Sequence, residues 1–406
     1  MHAATDESWK SDPWLGVNPI DPQFRRNPYP LLQRLRQHDP VNETPIGVWR
    51  LTRYDDVVRM LKEAPSGVRL ADGSLYGVAI GVSGGPNEFI LQRDPPDHTR
   101  LRRLMSQAFS PRAIARLRTR VESLVDELLD GVAVRGEMDV IADLALPVPA
   151  TLICEMMGVP LADRDRFTEW TAAATHLLAS MFQPPEVMER GAAAAMALNA
   201  YFTDLIAERR GHLRDDILSD LIRAEEAGDR LSPSELVSQS IGLLIAGFET
   251  TIGLIGNGVL AFARYPDQWD KLRADVSLLP SAVEECLRFD GPIVLTVRVT
   301  REDTPFGDRV IPADRPVLCM LAAANRDPAH FRDPDRFDIA REDNDNLAFG
   351  GGVHFCLGAH LARMEAQAAF GGLAKRFRRL ELASDELVWG ASLFRVLGKL
   401  PIAALE

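Results

Sequence analysis

Between Leu347 and Ala366 the chain reads LAFGGGVHFCLGAHLARMEA, and Cys356 is the residue in it with thiolate chemistry to offer. A thiolate is stabilised by backbone N–H groups and by the positive end of a helix. The run after Cys356, LGAHLARMEAQAAF, has the composition of a good helix and would bring that end to the sulfur. Gly350, Gly351 and Gly352 permit a tight turn and carry no side chains to obstruct a flat ligand. Phe349 is placed to pack over the sulfur, and His354 brings a cationic or donor group two residues away. Two readings stay open on these features: a thiolate held for a ligand, or a buried structural cysteine beside a glycine loop.

A second chemical pair, Glu249 and Thr250, lies inside the apolar run from Ile241 to Ala263. Gly242, Ile245, Ala246, Glu249 and Gly253 recur at helical spacing as one small, apolar stripe with a single carboxylate. Such a stripe suits something flat or a cavity, and a Thr hydroxyl near an acid can relay protons to a bound oxygen. The alternative is a polar pair satisfied by a neighbouring helix. In DPPDHTRLRRL, His98 and Arg102 are four apart and share a helix face. A solvated basic face is the alternative there, and it covers Arg100 and Arg103. Glu285 and Arg288 place opposite charges on one face, where a surface pair is worth only ~0.2–0.5 kcal/mol.

These residues need elements to position them. The run from Ile241 to Ala263 is long and apolar enough for a membrane span, yet it holds Glu249, Thr250, Thr251 and Asn257 and lacks flanking charge clusters. Ser232, Pro233 and Glu235 form an N-cap, a first-turn proline and a capping box just before it. From Ser232 to Pro266 the helix would be roughly 50 Å long at about 1.5 Å per residue. A helix apolar all round belongs at the centre of a large protein.

Upstream, NPYPLLQRLRQHDP and DDVVRMLKE have helical spacing, while GVWRLTRY is strand-like. The glycine-studded stretch from Gly67 to Arg93 has little periodicity. From Asp97 to about Glu285 the pattern is mostly helical, and PIVLTVRVT, DRVIPADRPVLCML and LFRVLGKLPIAAL are strand-like. The result is a mainly α chain with a minor β region.

Composition sets outer bounds. The 406 residues fit two to three domains or one large interwoven domain, and no linker divides them. A net charge of −12 argues against nucleic acid as the main partner. Cys154, Cys286, Cys319 and Cys356 are far apart, without zinc-like spacing, so a disulfide scaffold is not expected and a reducing cytoplasm fits. The polar N-terminus has no signal-peptide pattern.

The motifs together resemble one family. Phe349-x-x-Gly352-x-His354-x-Cys356-x-Gly358 is similar to the haem-binding signature of the cytochrome P-450 monooxygenases. Ala246-Gly247-Phe248-Glu249-Thr250-Thr251 resembles their central-helix motif, with Glu249 where Asp is commoner. Glu285-x-x-Arg288 resembles their buried Glu-x-x-Arg pair, to which a later arginine is joined. Arg336 is the better candidate for that arginine and Arg341 the alternative. The resemblance covers about Asn27 to the C-terminus and looks like the soluble bacterial members.

That resemblance implies the cytochrome P-450 fold, a triangular-prism helical core (α+β overall) with the long central helix over the haem. By the same resemblance, residues 1–406 would form a single domain. Its β-rich portion would be mainly 27–70 and 290–325 plus 385–406, and its helical portion mainly 97–289 and 356–378. Cys356 would ligate the iron of haem b (iron protoporphyrin IX), with Phe349, Gly350, Gly358, Ala246 and Gly247 around it. His98, Arg102, Arg298 and His354 would hold the propionates. Thr250 and Glu249 would deliver protons, while Glu285, Arg288 and Arg336 would be structural.

The activity implied is insertion of one atom of O2 into a hydrophobic small molecule, by hydroxylation or epoxidation. Electrons would come from a ferredoxin or flavodoxin with its reductase, so that NAD(P)H acts only indirectly. Arg100, Arg103 and Arg363 would offer a basic patch to that carrier. Val78, Ile80, Leu178, Met181, Gly242, Ile245, Ala246, Ile293, Val294 and Phe394 would line the substrate pocket. A cytoplasmic monomer without membrane attachment is expected. The alternatives are a peroxide-driven peroxygenase, which the Glu249-Thr250 pair argues against, and a non-catalytic haem-binding sensor.

Overall fold

Ser232 opens the longest helix of the protein, whose structure is a computed structural model describing residues 14, 16–76, 88–106, 109–226 and 231–405. The Ser232 hydroxyl accepts from the Glu235 N–H at 3.0 Å, and the Glu235 carboxylate accepts from the Ser232 N–H at 2.8 Å. This capping box satisfies two of the free donors at the helix start. The helix runs Pro233–Arg264 and stops at Tyr265, because Pro266 cannot continue it and begins the next helix, Pro266–Ala274.

Most of this helix is buried, as its apolar circumference requires. It packs against the helices Pro147–Met156, Arg164–Thr175, Pro185–Arg210, Leu279–Asp290 and Ala359–Arg376. Close approach is possible because glycines stand at the crossings. A Cβ on Gly258 would overlap the Phe370 ring, and one on Gly256 would lie 2.7 Å from Ile141 Cδ1. Removing apolar surface of this extent from water, at ~25 cal/mol per Å², is what makes so apolar a helix a core element here.

The β component flanks the helices. Five short strands lie in the order Val41–Glu43, Trp49–Leu51, Pro316–Cys319, Thr296–Thr300 and Ser66–Gly67. All neighbours are antiparallel except Trp49–Leu51 with Pro316–Cys319, where Trp49 is opposite Val317 in a parallel pair. A second sheet joins Glu137–Asp139, Pro401–Leu405 and Arg379–Leu382. Its first strand is only three residues long and pairs with the C-terminal strand, with Met138 opposite Ile402. The strand-like and helical stretches read from the sequence around Trp49, Thr296, Pro316, Tyr29 and Tyr54 all carry the element expected.

Three apolar clusters result among the described residues. The largest surrounds the central helix, a second lies beneath the five-stranded sheet around Trp49, Leu51 and Phe331, and a third gathers Val17, Phe24, Leu32 and Leu318 at the N-terminal end.

Candidate active site

The Cys356 loop is built by its own backbone. The Gly350 N–H donates to Leu347 O at 2.8 Å, Phe355 N–H to Gly352 O at 3.1 Å and Cys356 N–H to Phe349 O at 3.0 Å. Gly350 and Gly352 have φ of 69° and 67°, in the left-handed region that glycine enters without strain. The three glycines do not share one task, as the sequence suggested. A Cβ on Gly352 would collide with the Leu61 carbonyl, and one on Gly351 would press on Lys62, so these two let the loop lie on helix Tyr54–Lys62. Only Gly350, together with Gly358, has open space where a Cβ would stand.

Helix Ala359–Arg376 starts with Gly358 as N-cap, so the positive end lies just beyond the sulfur. Burial pushes the Cys356 thiol upward, opposed by the Gly358 N–H and by Arg102 and Arg363. Phe349 lies beneath the Arg363 guanidinium, 4.5 Å from ring centre to its carbon, and 6.3 Å from the Phe355 ring.

Beside this loop four basic side chains converge from three elements. His98 and Arg102 come from helix Asp97–Ser106, Arg298 from strand Thr296–Thr300 and His354 from the loop itself. The His98 and His354 rings are 4.3 Å apart, and Arg102 Nη1 donates to Phe355 O at 2.7 Å. Arg298 Nη1 donates to Val297 O at 2.8 Å. Both ring nitrogens of His354 and Nδ1 of His98 are buried without a hydrogen-bond partner among the described residues. Burial, followed by the charges of Arg298, His98 and Arg102, lowers His354 to about 3. Buried donors crowded with positive charge are costly unless an anion completes them. The arrangement therefore fits a flat ligand bearing carboxylates beside a thiol.

On the central helix, the Thr250 hydroxyl donates to Ala246 O at 2.8 Å, and Thr251 donates to Gly247 O at 3.1 Å. A Cβ on Gly247 would stand in ordinary contact with Ile153 Cδ1, at 3.8 Å, so this position faces helix Pro147–Met156. Glu249 and Thr250 are not bonded to each other. Burial raises Glu249 to about 7, opposed by hydrogen bonding with Ser392, the charge of Arg25 and hydrogen bonding with Thr175. Its Oε2 is buried and unpartnered among the described residues.

The expected pocket residues divide. Ile245 and Phe394 are buried in the main cluster, and Ala246, Leu178 and Ile293 are half-buried against it. Val294 is elsewhere: it packs in the N-terminal cluster with Phe24 and Leu32, since adjacent residues of an extended segment point to opposite sides. Gly242 is not an open wall either. Its missing Cβ makes room for the Phe89 ring, and Gln239 one turn earlier fastens that segment. Gln239 Oε1 accepts from Ile90 N–H at 3.1 Å, while its Nε2 donates to Glu88 O at 2.6 Å. Val78 and Ile80 lie outside the described residues, as does the side chain of Met181.

Glu285 and Arg288 form a fully buried two-point pair at 2.7 and 2.8 Å. The arginine that joins them is Arg341, whose Nε is 3.2 Å from Glu285 Oε2, and not Arg336. Arg336 has a side chain 64% exposed and directed at Asp338, and it contributes only its carbonyl, which accepts from Arg288 Nη2 at 3.1 Å. Two arginines expected in a basic docking patch are already paired, Arg100 with Glu235 and Arg363 with Glu284. A buried assembly that no sequence spacing announces joins Asp290 to Arg395 at 2.6 Å and to the Tyr29 hydroxyl at 2.5 Å.

Comparison with known proteins agrees with this geometry. The family model described as Cytochrome P450 matches residues 77–387. Cytochrome P450 107B1 of Saccharopolyspora erythraea is 43% identical over 402 residues, covering 94% of this chain and 96% of that protein. The Vitamin D(3) 25-hydroxylase of Pseudonocardia autotrophica is 41% identical, covering 93% of this chain and 94% of that protein. Among solved structures, P450BioI in complex with an acyl carrier protein ligated to hexadec-9Z-enoic acid superposes with a TM-score of 0.86 at 36% identity. That match covers 94% of this chain and 99% of the other.

Proposed function

The chain belongs to the cytochrome P450 family as a monooxygenase of small molecules, and from that premise we propose how its own residues divide the work. The observation that carries the reading is the cluster of His98, Arg102, Arg298 and His354, with unpartnered buried imidazole nitrogens, beside the Cys356 loop. Cys356 would ligate a haem iron through its thiolate, and the four basic residues would receive the propionates, Arg102 and Arg298 by charge and the histidines by hydrogen bond. Gly350 and Gly358, with open space where a Cβ would stand, would leave room for the macrocycle. Bound in this way, haem supplies O2 binding and, through thiolate donation, O–O cleavage.

The remaining steps belong to the protein. Phe349, half-buried over the loop, keeps water from the sulfur. Thr250 holds a proton near Ala246 O on the side where O2 would bind, and Glu249 exchanges protons from a side chain whose ionisation lies close to neutral pH. Ile245, Ala246, Ile293, Leu178 and Phe394 present an apolar boundary, which suits a hydrophobic substrate. The names of the relatives, a vitamin D(3) hydroxylase and a fatty-acyl carrier complex, favour hydroxylation of a molecule of that kind. Electrons come from a separate ferredoxin or flavodoxin with its reductase, and the chain acts as one cytoplasmic domain.

The test is turnover with surrogate electron carriers. Oxygenated product dependent on both NAD(P)H and O2 supports the reading, and product formed with peroxide alone would replace it by a peroxygenase. Reduced protein with carbon monoxide should show the red-shifted Soret band of thiolate ligation, and Cys356→Ser should abolish it. Arg298→Ala and His98→Ala should each lower haem retention on a desalting column.

A further inference from the structure

Arg25 is a buried cation that forms no ion pair. It lies in the short helix Pro22–Arg26 and is 5% exposed. Its guanidinium is fixed by two carbonyls from opposite ends of the chain. Nε donates to Pro19 O at 2.6 Å, and Nη2 donates to Ser392 O. Among the described residues Nη1 has no acceptor, and no carboxylate lies within ion-pair distance. Burial lowers Arg25 to about 10, opposed first by the charge of Glu249, so the group is still charged at neutral pH.

The acids nearby are committed elsewhere. Asp21 caps the start of the same helix, where its Oδ1 accepts from the Gln23 and Phe24 N–H groups at 2.8 and 3.0 Å. Asp290 accepts from Arg395 at 2.6 and 3.2 Å and from the Tyr29 hydroxyl at 2.5 Å. Arg395 in turn donates to the Arg25 carbonyl, so the two arginines stand in one buried group. Asp290 answers one of them and leaves one positive charge over. Glu249 makes no hydrogen bond or ion pair with Arg25. A buried charge of this kind is costly until an anion completes it.

A cleft borders this guanidinium, walled by Phe24, Pro28, Val294 and Leu393. Arg395 also borders it, but its charge is met by Asp290. The walls are otherwise apolar, which suits a ligand with one anionic group on an apolar body. Val294 and Leu393 are the chain neighbours of Ile293 and Phe394, which belong to the apolar boundary assigned to the substrate. One residue along either segment leads from the cleft to that boundary. We propose that Arg25 anchors the substrate: this chain acts on a hydrophobic carboxylic acid whose carboxylate pairs with the Arg25 guanidinium, while its apolar body lies along Val294 and Leu393 toward Ile293 and Phe394. This rests on the reading of the protein as a monooxygenase of hydrophobic molecules. The guanidinium suits the task because two carbonyls already orient it, and a charge-assisted hydrogen bond to a carboxylate is roughly twice as strong as a neutral one.

The experiment is calorimetric titration of the haem-loaded protein at neutral pH. The probes are decanoic and tetradecanoic acids and the matching primary alcohols, all below micelle-forming concentrations. Wild type should bind at least one acid about tenfold or more tightly than its alcohol. Arg25→Gln should abolish that preference and change the affinity for the alcohol little. No preference in wild type overturns the inference, and so does a preference that persists in folded Arg25→Gln. If Arg25→Gln does not fold, Leu393→Glu decides, because it places a competing carboxylate in the cleft: a lost preference for the acid supports the inference and a retained one overturns it. The reading beneath it fails separately. An acid preference that depends on Arg25, with no oxygenated product from surrogate carriers, NAD(P)H and O2, keeps the anchor and removes the monooxygenase. Oxygenated product without any acid preference does the reverse.

Discussion

Glu365 is a carboxylic acid 3% exposed within helix Ala359–Arg376, with Oε2 unpartnered among the described residues. Burial raises it from an ordinary 4.5 to about 8. The folded protein therefore keeps a proton that the unfolded chain loses, and stability from this group is fully present below about 4.5 and lost as pH rises through 8. Glu365→Gln removes that dependence. Denaturant melts should show wild type losing stability against the variant between pH 5 and pH 8.5, on the order of 1.4 kcal/mol per unit of pKa shift at most. Arg341 and Arg336 give a second contrast at this scale. Arg341→Ala leaves the fully buried Glu285 short of a partner and should cost about 3 kcal/mol, whereas Arg336→Ala should fall within about 0.5 kcal/mol of wild type. The same melts measure both.

Among elements, the Cys356 loop and helix Tyr54–Lys62 are a single unit. Gly352 combines a φ of 67° with a site where any Cβ meets the Leu61 carbonyl, while Gly350 combines a φ of 69° with open space. Gly350→Ala should cost only about 1 kcal/mol of backbone strain. Gly352→Ala should force the loop off the helix and displace Cys356, lowering the haem-to-protein absorbance ratio several-fold where Gly350→Ala leaves it near wild type. The central helix shows how an element can be evident while its neighbours are not. Its capping box, proline stop and apolar circumference were all readable in the chain. Phe89 on Gly242 was not, because a glycine in a helix signals a close approach without naming what approaches.

For the molecule as a whole, Asp290 and Arg395 bind the two ends of the chain to its centre. Asn257 of the central helix donates to Asp290 O at 3.0 Å and to Arg395 O at 2.9 Å, and Tyr29 and the Arg25 carbonyl complete the group. Burial disfavours the Asp290 carboxylate, but Arg395 and Tyr29 hold it below its ordinary 3.8. Its contribution to stability is in place above that value and lost as pH falls through the depressed one. Arg395→Ala should destabilise by about 3–5 kcal/mol by leaving a buried carboxylate unpaired. Limited proteolysis should then cut first in the segment around Ser392, and thermal melts should show the loss. Replacing Asp290 and Arg395 together by apolar residues should recover much of it, since the penalty comes from the orphaned charge and not from the pair.

Local chemistry was settled in the chain itself: the cap and stop of the central helix, the glycine turn before Cys356, and the three-residue spacing of Glu285 and Arg288. Each depends on contacts within a few residues, which spacing and backbone preference determine. Tertiary structure decided which arginine reaches Glu285, which glycine faces open space and which of Ile293 and Val294 turns toward the central helix. It also decided that the Thr250 hydroxyl turns to Ala246 O and not to Glu249. The arginine and the glycine outcomes depend on segments more than fifty and more than two hundred positions apart, and only close packing determines which of several chemically suitable partners arrives.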